Sequence, residues 1–176
     1  MTRDDFEHRL VEDNIRMDMP AMVGLLENGD ISVFDVFELS IANVNPQSWL
    51  ACWVLNHYID NHPHALESML GKAVDVLPHV TRTGLVRLLL RCFMVTPQWH
   101  FENLGLLLNF SLAAVQNNSF PVAVKANAMC ILERIAKDYP DASEEITLVV
   151  QEQIPYLSAG GKNRARKLLD ELQQKE

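Results

Sequence analysis

Apolar residues recur at every third and fourth position along most of the chain instead of alternating with polar ones. This period is typical of amphipathic α-helices. The clearest apolar stripe follows Pro121 and ends before Pro140; it contains Val124, Ala128, Ile131, Leu132 and Ile135, and Lys125, Arg134 and Lys137 lie outside it. Proline suits the first turn of a helix and stops a helix from continuing. The pattern therefore predicts an all-α chain.

The same period, with prolines and glycines as boundaries, predicts about ten short helices. Four have clear ends: Pro46 to Pro63, Ala65 to Pro78, Pro121 to Pro140, and a last helix that begins after a break at Gly160-Gly161, with Ala165, Leu168, Leu169 and Leu172 on one stripe. The others cover roughly 3–13, 19–28, 31–43, 81–95, 101–117 and 142–154.

The chain also repeats itself. A shift of 77 residues, without a gap, maps Ala51 on Ala128, Leu55 on Leu132, Pro63 on Pro140, Ala65 on Ala142, Glu67 on Glu144, Pro78 on Pro155, Gly84 on Gly161 and Arg87 on Arg164. Half of that shift, about 38 residues, is the length of an antiparallel helix pair of the HEAT or armadillo type. We therefore predict a single helical-repeat domain over residues 1–176. Its repeat units are 46–80, 81–120 and 121–160, and 1–45 and 161–176 are caps.

Three short runs resemble small bacterial HEAT-repeat proteins of unassigned function. They are Ser48 to Leu55, Pro121 to Met129, and Pro155-Tyr156 followed by Ser158 to Gly160 and Arg164 to Lys167. The resemblance covers about residues 20 to 172 and implies an armadillo-like α-solenoid. It brings no catalytic residues with it, because HEAT signatures are patterns of size and polarity.

Composition narrows the class further. Of the 176 residues, 48% are apolar and 22% are charged, and the net charge is −8, which excludes disordered and collagen-like chains. No apolar run approaches the roughly 20 residues that span a bilayer, so we predict no membrane partner. Cys52, Cys92 and Cys130 each lie in an apolar run and are interpreted as buried thiols in a reducing compartment. With no signal peptide at the N-terminus, a cytoplasmic location is expected.

Candidate catalytic chemistry is sparse. His57, His62 and His64 resemble metal ligands, but the last two flank Pro63 at a helix end, so their rings need not converge with that of His57. No G-x-S-x-G, P-loop or G-x-G-x-x-G motif is present. We therefore predict no catalytic residue, no metal site and no cofactor.

One enzymatic alternative stays open: a nucleic-acid-processing enzyme resembling the HEAT-like alkylpurine DNA glycosylases. Its aromatic residues and cationic stripe would come from Trp49, Trp53 and Trp99, and from Arg82, Arg87 and Arg91. Residues 1–80 carry 13 acids and 4 bases, a net −9, whereas residues 81–176 carry 10 acids and 11 bases, a net +1. Because even the second half is neutral, the charge argues against a nucleic-acid partner.

A local cationic stretch follows Gly160-Gly161, where a helix N-terminus and basic side chains could hold a phosphate or carboxylate. Lys162, Arg164 and Arg166 are the predicted anion-binding residues. The alternative is a solvated helix in which Lys167 pairs with Glu171.

The most unusual feature is a lack of charge, since Glu102 is the only charged residue between Cys92 and Val124. One explanation is a buried central helix, and the other is an interface, where uncharged polar and aromatic residues are typical. The predicted partner-binding residues are Trp99, His100, Phe101, Asn109, Phe110, Gln116, Asn117 and Phe120. The favoured function is a noncatalytic protein-interaction scaffold that binds an unidentified protein or a second copy of itself.

Overall fold

A computed structural model describes residues 1–12 and 17–173, and these residues form ten α-helices and no strand. The all-α prediction is confirmed. The helices are α1 Arg3–Glu12, α2 Met19–Glu27, α3 Val33–Ile41, α4 Gln47–Tyr58, α5 Leu70–Val76, α6 Thr83–Val95, α7 Leu104–Gln116, α8 Val122–Asp138, α9 Ser143–Gln153 and α10 Ala159–Gln173.

Most helix ends lie within three residues of the predicted ones, because prolines and side-chain caps set them. Pro121 precedes α8, and in α3 the Ser32 hydroxyl accepts a hydrogen bond from the Asp35 amide at 3.0 Å. Residue 13, the predicted end of the first helix, lies outside the described residues. The predicted break at Gly160-Gly161 is wrong. Both glycines lie inside α10, which starts earlier because Ser158 accepts from the Gly161 amide at 3.3 Å.

The repeat is visible in the positions of the elements. Short 3-10 turns follow α4 and α5, at Pro63–Leu66 and Leu77–His79, and corresponding turns follow α8 and α9, at Pro140–Ala142 and Ile154–Tyr156. Each corresponding pair of turns starts 77 residues apart. The prolines fix these turns, since proline cannot continue the preceding helix.

The chain divides into two compact units, Met1–Glu102 and Asn103–Glu176. In the first unit, α1, α2 and α3 pack on α4, and α4 also packs on α6. Because α4 is covered on several sides, its buried residues extend beyond one stripe: Ser48, Leu50, Ala51, Cys52, Val54, Leu55 and Asn56.

In the second unit, α7 packs on α8 and α9, and α8 packs on α10. The stripe predicted after Pro121 is buried in α8, and so is the predicted stripe of the last helix in α10. Lys125 departs from the prediction, because it is buried although it was placed outside the stripe. The single domain with three repeat units stays a prediction.

Candidate interaction surface

Helix α7 carries no charged residue, and the side of it that faces the unit is well packed. Its buried residues are Leu107, Ser111, Leu112, Ala114 and Val115. Of the predicted core stripe, Leu112 and Val115 are buried, whereas Leu104 and Leu108 are half-buried. Burial therefore accounts for only part of the missing charge.

The opposite side of α7 is open to solvent. Leu106 is 49% exposed, and Asn109, Ala113 and Gln116 are also exposed. Their spacing of three and four residues places them on one helix face. Half-buried Phe110 lies at its edge. We call this surface the α7 outer face: Leu106, Asn109, Phe110, Ala113, Gln116 and Asn117.

The turn after α7 continues this surface. The side-chain oxygen of Asn117 accepts hydrogen bonds from the amide and hydroxyl of Ser119, at 2.9 and 2.7 Å. The rings of Phe110 and Phe120 lie 6.5 Å apart. Five of the eight predicted partner-binding residues thus belong to α7 and this turn: Asn109, Phe110, Gln116, Asn117 and Phe120.

The other three, Trp99, His100 and Phe101, lie in the first unit. His100 is exposed, but half-buried Trp99 and Phe101 stack at 5.9 Å and both meet the ring of Phe93 edge-on. A Cβ atom at Gly71 would stand 3.0 Å from the Cβ of Phe101, so α5 approaches this cluster closely. Trp99 and Phe101 therefore have packing contacts of their own, and their role in partner binding stays a prediction.

The predicted anion-binding residues have different surroundings. The guanidinium of Arg164 pairs with Glu133 on α8, and its Nε lies 3.1 Å from the Cys130 sulfur. Two residues along a helix is about 200° of rotation, so Lys162 and Arg166 lie on a different side of α10 from Arg164. Arg164 is engaged within the unit, and anion binding by these three residues stays a prediction.

The Glu133 carboxylate is the centre of this ion pair, and Lys137 also bonds to it, at 3.1 Å. Partial burial acts to raise the pKa of Glu133, but the hydrogen bonds from Arg164 and Lys137 outweigh it and leave the pKa below its usual value. The pair links α8 to α10.

The histidines near Pro63 point to separate partners. His62 stacks on Tyr58 at 4.3 Å and lies 3.7 Å from Glu27, whereas His64 contacts Glu67 at 2.7 Å. In residues 1–12 and 17–173, no group of three or more His, Cys, Asp or Glu side chains is placed to hold a metal ion.

The residues of the enzymatic alternative lie partly along α4. Trp49 and Trp53 stack at 5.6 Å, and the guanidinium of Arg82 lies 4.5 Å from the Trp49 ring. Arg91 is paired with Asp60 at 2.6 Å. A surface aromatic pair with a bound arginine has no adjacent carboxylate among these contacts to act as an acid or base.

The sequence interpretation missed one feature, a cavity of about 410 Å³ in the second unit. Its lining residues are Asn118, Phe120, Val122, Lys125, Tyr156, Leu157, Ser158 and Gly161. A signal was present, since Lys125 adjoins the buried stripe and the repeat shift aligns it with Ser48.

Comparison with known proteins gives one match. A family model described as the HEAT repeat domain matches residues 6–172. Neither the curated proteins nor the solved structures contain a match. None of the helices in the described part of the chain is long and apolar enough to cross a membrane.

Proposed function

The chain belongs to the HEAT-repeat family, and we propose that it is a noncatalytic scaffold that binds a polypeptide through the α7 outer face. Family membership supports the predicted α-solenoid class of antiparallel helix pairs. Repeat arrays of this class offer broad surfaces for binding. The polypeptide is a partner protein or a second copy of the chain.

The uncharged α7 outer face is the observation that carries this proposal. A solvent-facing helix side in an acidic protein ordinarily bears charged residues, which keep it hydrated. Here Leu106 and Ala113 are exposed between the amides of Asn109 and Gln116. Depletion of charge is characteristic of the centre of protein interfaces, and exposed apolar groups rimmed by polar ones mark contact sites.

The state of the cysteines supports a cytoplasmic location for this scaffold. Cys52, Cys92 and Cys130 are all free thiols, and two of them are buried. Free thiols suit a reducing compartment.

Affinity capture with charge variants tests the proposal. Ala113→Glu places a carboxylate on the α7 outer face without disturbing the core, because residue 113 is exposed. Gln151→Glu introduces the same carboxylate at an exposed position of α9 and serves as the matched control. We expect Ala113→Glu to lose the captured polypeptide and Gln151→Glu to retain it. Equal capture by both variants would contradict a role for this face.

A further inference from the structure

The cavity of the second unit contains a buried cation. Lys125 is only 6% exposed, and its ammonium meets one polar group, the side-chain oxygen of Asn118, at 3.3 Å. In the described part of the chain, no carboxylate lies within ion-pair distance of Lys125. Burial without such a partner lowers the pKa of the Lys125 ammonium. A buried charge is costly unless an opposite charge compensates it.

The repeat shows that the fold does not need a lysine here. The corresponding residue of the first unit is Ser48, which is also buried. Its hydroxyl donates to the Leu39 carbonyl at 2.6 Å and accepts from the Val44 amide at 3.0 Å. Ser48 thus satisfies the local backbone, whereas Lys125 has only the Asn118 amide. Lys125 has no comparable structural task at the equivalent position.

The surroundings of Lys125 favour a negative ligand. None of the residues that line the cavity is acidic. Val122 is the first residue of α8, and Ser158 and Gly161 lie at the start of α10, so two helix N-termini border the cavity. A helix N-terminus carries a partial positive charge that favours anions. Lysine, helix ends and the absence of acids act in the same direction.

The rest of the cavity is apolar and aromatic. Phe120 and Leu157 line it, and the Tyr156 ring, 70% exposed, and Val122, 50% exposed, also contribute. Its volume of about 410 Å³ exceeds the size of a single phosphate or carboxylate group and falls in the range of small-molecule sites. The apolar lining suits a ligand with an organic body.

We propose that this cavity binds a small organic anion, in which a phosphate or carboxylate group meets Lys125 and an aromatic or apolar body contacts Phe120 and Tyr156. The site is independent of the proposed protein-binding function, since the α7 outer face does not include Lys125. It also differs from the cluster of Lys162, Arg164 and Arg166 that the sequence predicts, because none of those residues lines the cavity.

Calorimetric titration of the full chain with phenyl phosphate, benzoate and neutral benzyl alcohol tests the site. We expect phenyl phosphate or benzoate to bind and benzyl alcohol not to bind. The tighter of the two anions identifies the preferred acidic group. Lys125→Met should weaken anion binding by at least about tenfold, since a charge-assisted hydrogen bond is lost. Lys167→Met, at an exposed lysine of α10 outside the cavity, is the control and should bind like the parent.

Amide chemical shifts of the unaltered protein provide a second measurement that does not depend on a variant folding. On addition of the anion that binds, the amides of Lys125, Ser158 and Gly161 should shift most. The proposal is overturned if neither anion binds, if Lys125→Met binds as tightly as the parent, or if the largest shifts map away from the cavity.

Discussion

The indole nitrogen of Trp99 donates a hydrogen bond to the backbone carbonyl of Phe93 across 3.0 Å. Phe93 lies in the last turn of α6, where carbonyls have no partner within the helix. Trp99 therefore helps to satisfy the C-terminal end of α6, and its ring also packs on Phe93 and Phe101.

Substitution of Trp99 should destabilise the first unit. We predict that Trp99→Ala lowers the free energy of unfolding by about 2–4 kcal/mol, because a half-buried ring and its hydrogen bond are lost together. Trp99→Phe keeps a ring and loses the hydrogen bond, and should cost about 1 kcal/mol. Urea denaturation measures both. If Trp99→Ala unfolds like the parent and still impairs capture of a polypeptide, Trp99 is an interface anchor instead.

The ion pair between Glu133 and Arg164 should stabilise the second unit in a pH-dependent way. Since the pKa of Glu133 is lowered on folding, its contribution is present above the usual glutamate pKa of about 4.3 and is lost as the pH falls below it. Glu133→Gln should cost about 1–2 kcal/mol at pH 7, and the difference from the parent should shrink below about pH 4.

Chemical denaturation between pH 3 and 7 measures this difference, with Glu152→Gln at an exposed site of α9 as the control. The control should follow the parent at every pH. A Glu133→Gln variant whose stability runs parallel to the parent throughout would show that the ion pair contributes nothing.

The three thiols should differ in reactivity. Cys52 and Cys92 are fully buried, and burial raises the pKa of the Cys52 thiol, with the neighbouring Cys92 as a further cause. Asn56 fastens this region, since its amide donates to the carbonyls of Cys52 and Leu88 at 2.8 and 3.2 Å. Half-buried Cys130 contacts the guanidinium of Arg164.

A thiol reagent such as dithionitrobenzoate should therefore label Cys130 first and the other two only when the first unit opens. Asn56→Ala removes both carbonyl contacts and should accelerate the slow labelling. Labelling of all three thiols at one rate would contradict the burial of Cys52 and Cys92.

Removal of the buried charge at Lys125 should stabilise the chain. Lys125→Met has a similar length and no ammonium to desolvate, so we predict a gain of about 1 kcal/mol at pH 7 in the absence of ligand. The advantage should decrease as the pH rises toward the usual lysine pKa of about 10.4 and the parent loses its charge. Thermal unfolding measures the change. A lower melting temperature for Lys125→Met would indicate a structural role for the lysine.

Much of the fold could be predicted from the sequence because helix period and proline are local signals. Pro121 and Pro140 bracket α8, and the shift of 77 residues places the turns at Leu77 and Ile154 correctly. The start of α10 was missed because the Ser158 cap outweighs the tolerance of glycine for other conformations.

The sites were harder to predict because they depend on contacts between distant segments. The burial of Lys125 results from the segments around Asn118 and Tyr156, which are far apart in sequence. Arg164 reads as an anion ligand until α10 is packed against Glu133 on α8. The α7 outer face was more accessible to prediction, since absence of charge over a helix is visible in the sequence itself.

The most direct test of the scaffold function is site-specific photo-crosslinking from the α7 outer face. Asn109 is replaced by p-benzoylphenylalanine, and Gln151, which is exposed on α9, receives the same group as the control. Irradiation in an extract of the native cells should link position 109, and not position 151, to a discrete polypeptide, either a partner protein or a second copy of the chain. No adduct at position 109, or the same adducts from both positions, would contradict binding through this face.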